Sequence, residues 1–193
     1  MVEIKEAGTS GWKRAAPGGF IESNTIISTG LKSSAVIVLG NSRLEVRPLT
    51  MLTMEELVQK EGIEETAVYL RTGRVRAEVR PPTGIQVDFR VKSPSVTASV
   101  RGTTFEFDGK NLWVGDGRVL LAGSNGQKVY VAKGQRSYVD GNNQNRIAPP
   151  FEAETARLRP VIPELNNTDS AGSANAGVPE LTPGVVVHFI LDW

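Results

Sequence analysis

The sequence has no cysteine and a single histidine, His188. Without cysteine there is no disulfide framework, no thiolate zinc site and no cysteine nucleophile. One histidine excludes a His-rich metal centre, so neither a metal site nor a cofactor is expected. Aromatic residues make up only 6% of the chain. No apolar run reaches the roughly 18 residues needed to span a bilayer, so no transmembrane segment is expected. Charge of one sign is also lacking: 22 Lys+Arg stand against 21 Asp+Glu. That balance argues against a protein built mainly to hold nucleic acid. The opening stretch, Met1 to Ser10, is polar and shows no apolar core of a signal peptide.

What is present in quantity is glycine, 20 residues, with 11 prolines. Together they suit many short elements joined by tight turns. The near-neutral balance divides into two unlike parts: residues 1–140 carry +4 and residues 141–193 carry −3. The first part reads as one β domain, the second as a mostly irregular Pro/Asn-rich tail. Within the tail, Phe151 to Arg159 reads as a short helix between Pro149-Pro150 and Pro160. Residues 166–177, rich in Asn, Ser, Ala and Gly, read as a flexible linker. Residues 185–193 read as a strand that returns to the body as a clasp, packing Phe189 and Trp193.

The body is patterned with period 2. Ala35-Val36-Ile37-Val38-Leu39, then Gly40-Asn41, then Ser42-Arg43-Leu44-Glu45-Val46 predicts a hairpin with a two-residue turn. That turn would pair Ile37 with Leu44 and Ala35 with Val46, all apolar and on one face. Val75, Ala77 and Val79 alternate with Arg74, Arg76, Glu78 and Arg80; Ile85, Val87, Phe89 and Val91 alternate with Gln86, Asp88, Arg90 and Lys92. Both runs predict half-buried strands. The apolar parity then flips at Ser93-Pro94 and again at Arg101-Gly102, which predicts corners or bulges there. Further turns at Asp108-Gly109, Gly115-Asp116-Gly117, Ser124-Asn125-Gly126, Lys133-Gly134 and Asp140-Gly141 separate more short strands. The fold expected is all-β: a wrapped antiparallel sandwich or solenoid-like structure with short hairpins. One segment resists. Thr53 to Lys60 has the composition of a capped helix.

The stretch Ser93-Pro94-Ser95-Val96-Thr97-Ala98-Ser99-Val100-Arg101-Gly102-Thr103-Thr104-Phe105-Glu106-Phe107 resembles the FecR domain family. Val114-Gly115-Asp116-Gly117-Arg118-Val119 and Val131-Ala132-Lys133-Gly134-Gln135 resemble its later segments, with Asp116 where a glutamate is commoner. Ile26-Ile27-Ser28-Thr29-Gly30 and Ser33 to Leu39 resemble its opening. The likeness covers roughly residues 20–139. It implies an all-β, periplasmic or otherwise exported domain without enzymatic activity. It also implies that Leu49–Leu57 and Glu65–Leu70 are strands turning at Glu61-Gly62, and that reading is preferred to the local helix propensity. Family members regulate cell-surface signalling with anti-sigma, transmembrane and receptor-contacting segments. None of these is recognised in this chain, so only the domain-level implication carries over.

Candidate sites follow from both readings. The family-motif residues Pro94, Arg101, Gly102, Thr103 and Phe105 are expected to be structural, with Gly102 allowing a bulge and Arg101 bonding nearby carbonyls or a carboxylate. Arg74, Arg76 and Arg80, with Arg71 and Arg90 nearby, form a basic stripe that suits an acidic partner. Cross-strand pairing with Glu45, Asp88 or Glu106 would neutralise it. Trp12 and Trp113 suggest a polar groove for a glycan such as peptidoglycan. Asp108, Asp116 and Asp140 sit beside turn glycines, where aspartate bonds local backbone, and are not expected to be catalytic. The reading carried forward is a non-enzymatic envelope domain that binds a protein or envelope partner through a sheet face or strand edge; the alternative is a glycan-binding module.

Overall fold

The computed structural model describes residues 1–60, 62–141 and 145–152, together with the backbone of 185–188. The described residues form strands and turns and no helix. In chain order the strands open with β1 (Val2–Lys5), β2 (Lys13–Arg14), β3 (Phe20–Ile21), β4 (Thr25–Thr29), β5 (Ala35–Leu39) and β6 (Ser42–Val46). There follow β7 (Met51–Lys60), β8 (Ile63–Thr72), β9 (Val75–Glu78), β10 (Gln86–Lys92), β11 (Val96–Val100), β12 (Thr104–Phe107) and β13 (Asn111–Asp116). The last are β14 (Arg118–Gly123), β15 (Lys128–Ala132), β16 (Gln135–Asp140), β17 (Arg146–Ile147), β18 (Phe151–Glu152) and β19 (Val185–His188).

They make two sheets. One has nine strands in the order β15-β14-β11-β10-β8-β7-β4-β1-β2, and the other ten, β17-β16-β13-β12-β9-β6-β5-β19-β3, with β18 beside β16. From β4 to β16 the chain places one or two strands in one sheet, then crosses to the other. This is the wrapped sandwich that the alternating pattern predicts. Wrapping also explains the single parallel pair among the described strands, β8 with β10. The strand between them in sequence, β9, lies in the opposite sheet.

The β5–β6 hairpin has the expected register, Ile37 opposite Leu44 and Ala35 opposite Val46, around Gly40 at φ 56°. Residues 51–60 are the strand β7, not a helix, and pair along their length with β8. Burial explains that choice. Leu52 and Met54 are fully buried at alternate positions, a period a helix cannot present to one sheet.

The parity flips have two different origins. Ser93 to Val96 closes the β10–β11 hairpin, with Val91 opposite Ala98 and Ser93 N donating to Val96 O at 2.8 Å. A hairpin loop of even length reverses parity by itself, so Ser93-Pro94 is neither corner nor bulge. Arg101 to Thr103 is a corner, carrying the chain from β11 in one sheet to β12 in the other. A register shift follows it between Thr104 and Phe105.

The inward faces of both sheets meet in one apolar core. Phe89 from the nine-stranded sheet and Phe105 from the ten-stranded sheet meet edge to face, 6.5 Å between centroids. Burial of side chains of this size stabilises by roughly 1.5–3 kcal/mol each. At the tail, Phe151 and Glu152 pair with β16 where a helix was expected to begin. The remainder of that expected helix, 153–159, and the expected linker 166–177 lie outside the described residues. Residues 185–188 form a strand inserted between β5 and β3. Phe189 and Trp193 lie outside the described residues.

Candidate functional site

The family-motif residues lie at a turn and a corner rather than in a cleft of their own. Thr103 is buried, and its Oγ1 donates to Arg118 O at 3.0 Å. Its backbone N and O bond Val79 at 3.1 and 2.9 Å. Gly117, at φ 79°, lies so close that a Cβ there would stand 2.6 Å from Gly102 O and 2.9 Å from Thr103 Oγ1. Phe105 is in the core. Arg101 differs from expectation. It is exposed and makes no hydrogen bond or ion pair to a carbonyl or carboxylate among the described residues.

The basic stripe of β9 is largely neutralised, because β9 lies between β6 and β12 and their carboxylates face it. Arg76 stands opposite both Glu45 and Glu106. Its Nη1 is 4.0 Å from Glu106, and Arg47 reaches Glu45 at 2.8 Å and Glu106 at 3.6 Å. Arg80 pairs with Glu78. Arg90 does not join this face: it lies on the nine-stranded sheet near Glu56, Glu65 and Asp88 at 3.6, 4.0 and 3.6 Å. Arg74, exposed at the start of the stripe, has no ion pair among the described residues.

Arg74 instead lines a groove of about 850 Å³ at one end of the sandwich. Four chain segments converge there: the β6–β7 crossover, the β8–β9 crossover, the β10–β11 turn and the β12–β13 turn. They contribute four cations, Arg47, Arg71, Arg74 and Lys110, and two carboxylates, Glu106 and Asp108. Both carboxylates are already engaged. Glu106 faces Arg47 and Arg76, and Asp108 Oδ1 accepts from Asn111 N at 2.7 Å and Lys110 N at 3.0 Å. The side chains of Arg71, Arg74 and Lys110 have no such partner among the described residues. The groove therefore presents a net excess of positive charge, with Asp108 the one carboxylate in it that no cation matches, and is bordered by Pro48, Leu49 and Pro94.

Its walls are tied together by hydrogen bonds. Thr50 Oγ1 donates to Arg74 O at 3.1 Å and accepts from Arg74 N at 3.0 Å, while Arg47 N donates to Arg74 O at 3.0 Å. Ser93 Oγ donates to Gly109 O at 2.8 Å, joining the two turns. Leu49 has φ 57°, a conformation rare for a branched side chain, yet it is 59% exposed. Leu49 N donates to Gly30 O at 3.2 Å, and Gly73, at φ 94°, lies close behind its carbonyl.

Of the residues singled out in the sequence, the groove brings together Arg71, Arg74, Pro94, Glu106 and Asp108. Arg47, Leu49 and Lys110 were missed; Pro48-Leu49 between two strands was the one available signal. Trp12 and Trp113 do not share a groove. Trp12 precedes β2, the edge of the nine-stranded sheet, whereas Trp113 lies on β13 of the other sheet, its indole folded over Gly115. Asp116, exposed, accepts from Lys133 Nζ at 3.0 Å, and this contact with the ammonium holds its carboxyl below the ordinary aspartate value. It is thus engaged locally, like Asp108, and the two lie at opposite ends of β13. No helix among the described residues is long and apolar enough to cross a membrane.

Residues 25–120 match the family model described as FecR protein. The resemblance read from the sequence therefore stands, from the first residue of β4 into β14. No curated protein matches the chain. Among solved structures, two crystal structures of a "putative anti-sigma factor" from Parabacteroides distasonis have a similar fold, with TM-scores of 0.54 and 0.55 at 14% and 15% identity. In each case the alignment covers 66% of this chain and 59% of the other. The chain thus spans about three fifths of the length of the solved structures it matches.

Proposed function

We propose that this FecR-type sandwich is a non-enzymatic signalling or interaction domain of the bacterial envelope, facing the periplasm, and that it binds a protein partner through the groove at its loop end. The observation carrying this reading is the set of unmatched cations, Arg71, Arg74 and Lys110, on hydrogen-bonded segments around one concavity. The charged face of β9 is a weaker candidate, because Arg76 and Arg80 already have carboxylates beside them. The family match and the likeness in fold to a protein described as an anti-sigma factor support a regulatory role. A photo-crosslinking residue placed at Thr72, an exposed and uncharged residue of the groove, with Tyr130 on β15 as the control position, tests the site in cells. An adduct with one defined protein from position 72, lost on Arg71→Glu/Arg74→Glu, is expected. Adducts from position 130 alone, or none from 72, overturn it.

A second reading has its own observation. On the outer face of the ten-stranded sheet, Arg136 stands opposite both Trp113 and Phe151. Tyr138 and Phe151 meet edge to face at 6.3 Å. Such a platform suits a sugar ring, and co-sedimentation with purified peptidoglycan that is lost on Trp113→Ala would support it; equal sedimentation of that variant would remove it.

A further inference from the structure

We infer that the groove takes an extended acidic peptide segment carrying one apolar residue, and that Leu49 is the groove's apolar anchor. The inference rests on the groove being the protein-contact site. Its charge comes first. Glu106 is matched by Arg47 and Arg76, while Asp108, bonded only to neutral amide groups, keeps its charge, so two guanidinium groups and an ammonium stand against one carboxylate and the groove is net positive. Planar guanidinium forks suit carboxylates, which they bind through paired N–H donors. Bare charge would also suit phosphate or a sulfated sugar, but Leu49 argues for a peptide. Its side chain is held out at the groove by a left-handed backbone that leucine adopts at a cost, fixed by the bond from Leu49 N to Gly30 O. Glycine would meet the same backbone demand without strain. An exposed leucine beside Pro48 and Pro94 and flanked by unmatched cations fits a ligand that alternates carboxylates with an apolar side chain.

The test uses the full chain and a labelled peptide of glutamate and aspartate with one central leucine, read by fluorescence anisotropy. Binding that weakens steeply with added salt is expected. Arg71→Glu/Arg74→Glu should abolish it. Leu49→Gly should weaken it by about tenfold, as loss of one buried leucine contact implies. Replacing the peptide's leucine by glycine should have the same effect, and the two changes together should weaken binding little further. Leu49→Gly relieves the left-handed leucine, so an unchanged or raised melting temperature separates lost contact from lost fold. Inorganic phosphate or a sulfated oligosaccharide competing as well as the peptide, with no effect of either leucine, overturns the inference. No peptide binding, while the crosslink from position 72 persists and remains sensitive to Arg71 and Arg74, leaves the contact site standing and sinks the acidic segment.

Discussion

Leu49 and Gly73 are a coupled pair of backbone conformations, both with positive φ. A Cβ on Gly73 would sit 2.3 Å from Thr50 Oγ1, 2.4 Å from Thr50 Cα and 2.7 Å from Leu49 O. Gly73→Ala is therefore expected to destabilise the fold by about 3 kcal/mol, from steric overlap added to left-handed strain. Urea unfolding checks this, and a loss under about 1 kcal/mol would contradict the packing described. At Asp116 the Lys133 ammonium lowers the folded-state pKa, so the contribution of this pair is present above the ordinary aspartate value and fades as pH falls through the lower, folded one. An NMR titration should place the Asp116 midpoint below that ordinary value and show it rise in Lys133→Met. At this scale the sequence was legible only in part. Gly73 announces a turn, but that its missing side chain makes room for Thr50 depends on two crossovers meeting in space. Arg101 looked like a bonded motif residue and is exposed, because the corner it occupies is closed by Thr103 and Gly117 instead.

The elements were legible wherever turn chemistry and parity agreed. Gly40-Asn41 and the flanking apolar positions specify the same register, and β5 and β6 pair in it. Ser93-Pro94 misled because an even hairpin loop and a corner both flip parity, and a sequence alone does not separate them. Residues 53–60 misled because helix propensity is a local quantity, while alternate burial of Leu52 and Met54 between two sheets is not. The corner after β11 gives a prediction. Thr103→Val should destabilise by about 1–2 kcal/mol, because Arg118 O then loses the donor 3.0 Å away in a buried position. Thr103→Ser, which keeps the hydroxyl, should retain most of the stability, as thermal denaturation would show. Equal losses in both variants would mean that methyl packing, not the hydrogen bond, holds the corner.

At the scale of the molecule, wrapping decides which charges meet. Arg90 reads in sequence as a neighbour of the β9 arginines but belongs to the opposite sheet. The groove was illegible because its residues come from four segments between Arg47 and Asn111 that only the alternation between sheets gathers at one end. Wrapping also leaves β5 without a neighbour on one side until β19 fills it. Val187→Pro, which removes a backbone donor within β19, should free that side of β5 and give self-association that rises with concentration in sedimentation velocity. A monomer at all concentrations would show that β19 does not shield β5. Val187 pairs with Ile37 from roughly 150 residues further along the chain. On the ribosome, the hairpins can close soon after each is made, but the Val36-Ile37 edge waits until β19 is made. That interval is when a chain of this topology most needs a chaperone, since an apolar edge left open in a nascent chain recruits its neighbours.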